Sequence, residues 1–186
     1  MPFNCHTIST NNYKGGYIAS SHLLELGHRK IGCITGPINS TECRDRESGF
    51  RQAFINSGIP FDDKWIVNGD YTTETGIQGA QYLLSQGVTA IFAQNDMIAF
   101  GVYHYLRSKN LRVPEDISIV GFDNISLLSV IDIPLTTVSQ PIKEIGNRAL
   151  NIILKTPYVA DSSERVALSL QPELIVRSST AAPAVK

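Results

Sequence analysis

The sequence predicts a doubly wound α/β domain, a parallel β-sheet with helices on both faces. Three observations carry that expectation. Short apolar, β-branched runs alternate along the chain with amphipathic helical patterns of about a dozen residues, and strands so separated require right-handed crossovers and parallel pairing. The run Ile117 to Phe122, with β-branched Ile117, Ile119 and Val120, reads as a central strand of a parallel sheet. With 186 residues, 42% hydrophobic and 18% charged, the chain can bury one good core or two small ones.

Asn11 and Asn12 can cap a first helix to about Leu26, in which Ile18, His22, Leu23 and Leu26 recur at helical spacing before the stop at Gly27. Ile31 to Thr35 is a short strand, and Gly36-Pro37 turns into a polar loop. A second helix from about Arg44 carries Phe50, Ala53 and Phe54 and ends at Gly58. Trp65 to Val67 is the next strand, with Gly69-Asp70-Tyr71 at its end. A helix near Thr73 to Ser85 precedes the strand Thr89 to Ala93. The loop Gln94-Asn95-Asp96 opens a fourth helix bearing Ile98, Val102, Tyr105 and Leu106, with Asp96 as a candidate cap. The strands Ile117 to Phe122 and Leu135 to Val138 follow.

Beyond Gln140-Pro141 the pattern changes. Ile142, Ile145, Ala149, Ile152 and Ile153 draw a helical stripe, a polar stretch surrounds Asp161 to Glu164, and strands are expected at Val166 to Leu170 and Leu174 to Val176. The Ser/Thr/Ala tail that closes the chain is expected to be disordered.

Parallel strands send their end loops to one rim, where ligands of such sheets bind. Gly36 to Arg46, Gly69 to Thr73, Gln94 to Asp96 and Gly121 to Asn124 therefore converge. Taken singly, Arg46 reads as a solvated helix residue and Asp96 as a cap. Together Arg46, Asn95, Asp96 and Asp123 supply a guanidinium, an amide and carboxylates, a set that suits polyhydroxylated ligands. Tyr71 can offer an aromatic face to a sugar or base.

Other functions find little support. Sixteen Lys and Arg against seventeen Asp and Glu leave a net charge of −1, so these residues carry no basic field for sequence-independent DNA binding. No apolar run approaches the roughly 20 residues of a membrane span, the first residues lack a signal-peptide pattern, and a cytoplasmic location is expected. Neither a Gly-rich phosphate loop nor a Gly-x-Ser-x-Gly elbow occurs, and His6, His22, His28 and His104 lie away from the rim. His28, just after a helix stop, is expected to bond that helix's last carbonyls. Cys5, Cys33 and Cys43 show no metal-ligand spacing, and Cys33 reads as a small buried hydrophobe. No cofactor is expected.

Longer strings carry a family resemblance. His22-Leu-Leu-Glu-Leu-Gly-His-Arg-Lys-Ile31, Gly36-Pro37, Arg46-x-x-Gly-Phe50, Gly69-Asp-Tyr71, Thr89-Ala-Ile-Phe-Ala-x-Asn-Asp96 with Ala99 and Gly101, Val113-Pro-Glu-Asp-Ile-Ser-Ile-Val-Gly-Phe-Asp-Asn124, Pro134-Leu-Thr-Thr137, Gln140-Pro141 and Arg177-Ser-Ser-Thr180 resemble the effector-binding core of LacI/GalR-type (lactose repressor family) transcriptional regulators. The resemblance implies a periplasmic-binding-protein-like core of two lobes, with a small effector between them that alters operator affinity. It implies Arg46 and Asp123 as the pair gripping the effector, Asn95 as a further contact, Tyr71 as a stacking position and Gln140 at the crossing between lobes. Ser40 and Glu42 fall in a loop that contacts effector in some relatives.

It also implies that residues 11–140 plus 172–178 form the carboxyl-terminal lobe, that 141–171 belong to an amino-terminal lobe mostly outside this chain, and that 179–186 are a tail. The stripe on Ile142, Ile145, Ala149 and Ile153 is then expected to pack on another chain or fold back on its own domain. The expected partners are a sugar-like effector ahead of a purine, operator DNA through a headpiece absent from these residues, and a second copy in a homodimer. A periplasmic solute-binding protein and a sugar-acting α/β enzyme are the alternatives.

Overall fold

The computed structural model describes residues 5–126, 132–155 and 166–184. Its main sheet has six strands in the order β3-β2-β4-β5-β6-β8. These are β2 (Ile31–Ile34), β3 (Ile66–Val67), β4 (Ala90–Ala93), β5 (Ser118–Asp123), β6 (Thr136–Ser139) and β8 (Glu173–Ile175). All neighbours are parallel except β6 and β8, where Val138 faces Leu174 in antiparallel register. The chain moves outward from β2 to β3 and then returns to β4 on the other side of β2, which makes the β2/β4 gap the topological switch point.

Side-chain alternation along the strands assigns each face. Ile31 and Cys33 of β2, Phe92 of β4, and Val120 and Phe122 of β5 pack with Leu23, Phe50 and Phe54 of α1 (Asn12–Glu25) and α2 (Thr41–Ser57). Ile34, Ile91 and Ile119 point the other way, toward Leu83, Ile98 and Val102 of α3 (Thr73–Ser85) and α4 (Asp96–Ser108). Each of these side chains is fully or almost fully buried. Burying a side chain of this size stabilises by about 1.5–3 kcal/mol before the entropy of ordering it is counted.

Two glycines bring α1 and α2 together backbone to backbone. A Cβ at Gly16 would stand 1.9 Å from the Arg46 carbonyl oxygen, and one at Gly49 would stand 1.9 Å from that of Tyr13. Asn12, about one turn before Gly16, is thereby brought against the side chain of Arg46.

A second sheet pairs β1 (Thr7–Thr10) in parallel with β7 (Ala167–Leu170), with Thr7 opposite Ala167 and Thr10 opposite Leu170. The chain passes between the sheets at Asn11, at Gln140-Pro141 and at Gln171-Pro172. Beside β1 runs α5 (Ile142–Lys155), whose Ile142, Leu150, Ile153 and Leu154 remain exposed. Among the described residues, Ile142 and Ile153 of the expected stripe are exposed, while Ile145, Ala149 and Ile152 are half-buried.

Several expectations are corrected. β1 was not anticipated, because four residues of mixed polarity make a strand only through a partner some 160 positions away. β8 runs against the sheet, α2 begins at Thr41 behind the cap Ser40, and the cap of α4 is Asn95 rather than Asp96. The tail is not disordered through Ala184. Ser179 is buried and its hydroxyl accepts from Thr136 N (2.8 Å) and donates to the Ile119 carbonyl (2.6 Å). The His28 ring bonds Thr89 (2.8 Å) and the Ala181 carbonyl (2.9 Å), pinning that tail instead of closing its own helix. Cys33 is a fully buried hydrophobe, as expected. The polar stretch at Asp161 to Glu164 lies outside the described residues.

Candidate functional site

Arg46 occupies the switch point. It sits in the second turn of α2, placed there by the cap Ser40, whose hydroxyl accepts from Cys43 N (3.3 Å). Its Nε donates to Asn12 Oδ1 (2.8 Å), one terminal nitrogen donates to the Gln94 carbonyl at the end of β4, and its guanidinium carbon lies 3.6 Å from the centre of the Phe122 ring. This residue is not solvated: its relative exposure is 5%. Burial depresses its pKa, opposed by Tyr71, Asp123, Cys43 and Glu42. A guanidinium stays charged under such a shift. Among the described residues Nη2 makes no hydrogen bond, so it keeps its donors for something else.

Asp123 ends β5 with φ +110, and Asn124 follows at φ +58. Positive φ is uncommon for residues with a Cβ and turns the Asp123 carboxylate away from the strand's regular alternation. Its Oδ1 accepts from Gln140 Nε2 (2.6 Å), and Gln140 Oε1 accepts from the hydroxyl of Thr10 on β1 (2.7 Å). Burial raises the Asp123 pKa, while the Gln140 bond and the charge of Arg46 lower it. Asp123 and Arg46 are electrostatic neighbours without forming an ion pair, each held by other groups. A cavity of about 510 Å³ between the sheets is lined by Asp123, Asn124, Ser139, Gln140, Ile142 and Glu173. A larger depression of about 810 Å³, lined by Gly27, Lys30, Thr89 and Pro183 among others, lies at the opposite rim.

The other expected residues are placed less simply. Asn95 caps α4, accepting from Ile98 N (2.8 Å), and its amide nitrogen donates to the Tyr71 carbonyl (3.2 Å), so both ends of the side chain are engaged within the protein. Tyr71 has φ +70, and its ring fills the space that Gly36 leaves open, where a Cβ would be 2.4 Å away. Its hydroxyl lies 2.6 Å from Cys43 Sγ, and burial pushes its pKa up to about 12. Ser40 donates to Glu42 (2.7 Å), a bond that lowers the Glu42 pKa. Tyr71, Glu42 and Asp123 are thus close enough to Arg46 to act on its charge, while Asp123 and Gln140, but not Arg46, Tyr71, Ser40 or Glu42, line the 510 Å³ cavity. Trp65, near Tyr71 in sequence, packs on Phe54 and Phe61 near the far end of α2 from Ser40.

Sequence reasoning did not single out Asn12, Gln94 or Phe122, which hold the guanidinium. Asn12 read as a helix cap, while Gln94 and Phe122 bore no mark of a role beyond the loop and the core. None of the four histidines is at the site: they bond Val166 N, Thr180, or Thr89 with Ala181, or pack on Phe100. Among the described residues no cluster of three His, Cys, Asp or Glu could hold a metal, and no helix is long and apolar enough to cross a membrane.

A buried guanidinium at the switch point thus lies near a carboxylate on β5 that Gln140 links to the second sheet. Residues 20–180 match the periplasmic binding protein-like domain. A LacI family transcriptional regulator from Enterococcus faecium, solved with bound ribose, superposes with a TM-score of 0.85 at 34% identity, over 96% of this chain and 67% of that one. This chain belongs to the LacI family. A putative LacI regulator from Bacillus cereus subsp. cytotoxis superposes with a TM-score of 0.89 at 28% identity, covering 97% of this chain and 64% of that chain. The HTH-type transcriptional repressor PurR of Photobacterium profundum is 38% identical over 175 residues, which are 92% of this chain and 52% of the relative. The chain thus spans about half the length of the curated relatives it matches, which are transcriptional repressors.

Proposed function

We propose that this chain is the effector-binding core of a LacI-type regulator, in which Arg46, Asp123, Tyr71 and Gln140 meet a small uncharged effector, with Asn95, Ser40 and Glu42 shaping the opening. The carrying observation is the Arg46 guanidinium, fixed by Asn12, Gln94 and Phe122 with Nη2 donors to spare, beside a half-buried Asp123. A donor fork and an acceptor held apart at one rim complement vicinal hydroxyls. A sugar is favoured because the Enterococcus faecium relative was solved with ribose, while the PurR relatives keep a purine as the second reading. Operator DNA would be bound by the part of the regulator that these residues do not match, in a cytoplasmic homodimer, and the core would perform no catalysis.

The effector would act through its different affinities for the arrangements of the two sheets. Calorimetric titration with ribose, other pentoses, hexoses, disaccharides and purines tests the reading. In the full-length regulator, Asp123→Ala should abolish the effector response and leave operator binding intact; a retained response would remove Asp123 from the site. Turnover of any sugar in the panel would favour the enzyme reading instead.

A further inference from the structure

Behind the rim lies a carboxylate to which the binding reading gives no role. Asp96 is fully buried in the first turn of α4. One of its oxygens accepts from the Thr137 hydroxyl on β6 (2.7 Å), and the other accepts from the backbone N–H of Ile125 (2.8 Å), two residues beyond Asp123. A Cβ at Gly121 would stand 2.3 Å from Asp96 Oδ1, so β5 makes room for this group. A carboxylate is costly to bury, and it is found where hydrogen bonds hold it. The Ile125 bond ends on the turn whose residues 123 and 124 both have positive φ, a backbone that persists only where its surroundings determine it.

We propose that Asp96 is a positioning residue that fastens the Asp123–Ile125 turn to β6 and so aims the Asp123 carboxylate into the cleft. What this does for an effector rests on the function proposed above, whereas the fastening itself does not. Burial pushes the Asp96 pKa up to about 6, with Thr137 and Ile125 pulling it down and Asp123 pushing it up. The groups known to face it are the charged Asp123 from β5, the uncharged Thr137 from β6 and the backbone amides of Phe122 and Ile125. The brace therefore changes charge near pH 6, in a range where ordinary carboxyls have already ionised.

Carbon-13 carboxyl and nitrogen-15 amide NMR of the whole chain, titrated from about pH 4 to about pH 8 across the range where such a group changes charge, tests this without any effector. The Asp96 carboxyl and the Ile125 amide should titrate together, and the Asp123 carboxyl should show the same step. In Asp96→Asn, which keeps an acceptor oxygen, that step should vanish from both Ile125 and Asp123 while the fold is retained. In Asp96→Ala the Ile125 amide should exchange with solvent at least about tenfold faster, as expected for a lost hydrogen bond. An Asp123 carboxyl with no step, or a step that survives Asp96→Asn, overturns the proposal. Coupling in the NMR with no ribose, other sugar or purine bound would leave the brace standing and remove the effector reading; sugar binding without coupling would do the reverse.

Discussion

The guanidinium of Arg46 shows how a single residue's role depends on what confines it. A charge with 5% exposure would be prohibitive alone, yet Asn12, the Gln94 carbonyl and the Phe122 ring each replace part of its hydration. Asn12→Ala should therefore weaken effector binding about tenfold or more, by freeing one side of the fork, and cost about 1–3 kcal/mol of stability for the unpaired Nε–H. Calorimetry and denaturant unfolding separate the two effects. Asp96 makes a second test at this scale. Its folded pKa, about 6, lies above that of an exposed aspartate, so the folded state holds its proton more tightly than the unfolded chain does. The stability it contributes is complete below the unfolded value and is lost as pH rises through about 6. Unfolding free energy should fall by on the order of 2–3 kcal/mol between about pH 4 and pH 7 through this group, and the pH slope of Asp96→Asn should lack that component.

Between elements, the α1/α2 contact governs the site. Gly16 and Gly49 let the two backbones touch, and Gly16→Ala would drive a methyl into the Arg46 carbonyl. The expected result is a loss of about 3 kcal/mol, at the upper end for overpacked sites, together with displacement of Arg46 from Asn12. Thermal unfolding and effector affinity should fall together; an unchanged melting temperature would show the helices to be farther apart than this. The cap Ser40 is a milder case, since Ser40→Ala removes the acceptor for Cys43 N and should cost about 1 kcal/mol.

At the scale of the whole molecule, two long-range devices stand out. Ser179 joins the chain's end to β5 and β6, and Ser179→Ala should lower stability by about 1–3 kcal/mol by leaving the Thr136 N–H without its buried partner. Ile142 and Ile153 of the expected apolar stripe on α5, with Leu150 and Leu154 beside them, leave an exposed apolar face. Concentration-dependent sedimentation of the isolated chain, reduced by Ile153→Glu, is the outcome expected if a second chain covers it.

How much of this was legible in the sequence follows the range of the interaction. The doubly wound order was readable because alternation between period-2 and period-3.6 patterns is local, and the loops bearing Arg46, Tyr71 and Asp123 could be placed together because strand ends in a parallel sheet share one rim. The pairing of β1 with β7, the antiparallel β8, the packed tail and the partners of His28 were not, since each depends on segments tens to more than a hundred residues apart that have no pattern of their own. By itself, then, the sequence determined the layering of the fold and which loops meet. The tertiary structure alone decided that Arg46 is gripped by Asn12 and Gln94, that Asn95 rather than Asp96 caps α4, and that Asp96 is buried behind the rim, because burial and hydrogen-bond satisfaction are settled only when distant chain segments close around the same atoms.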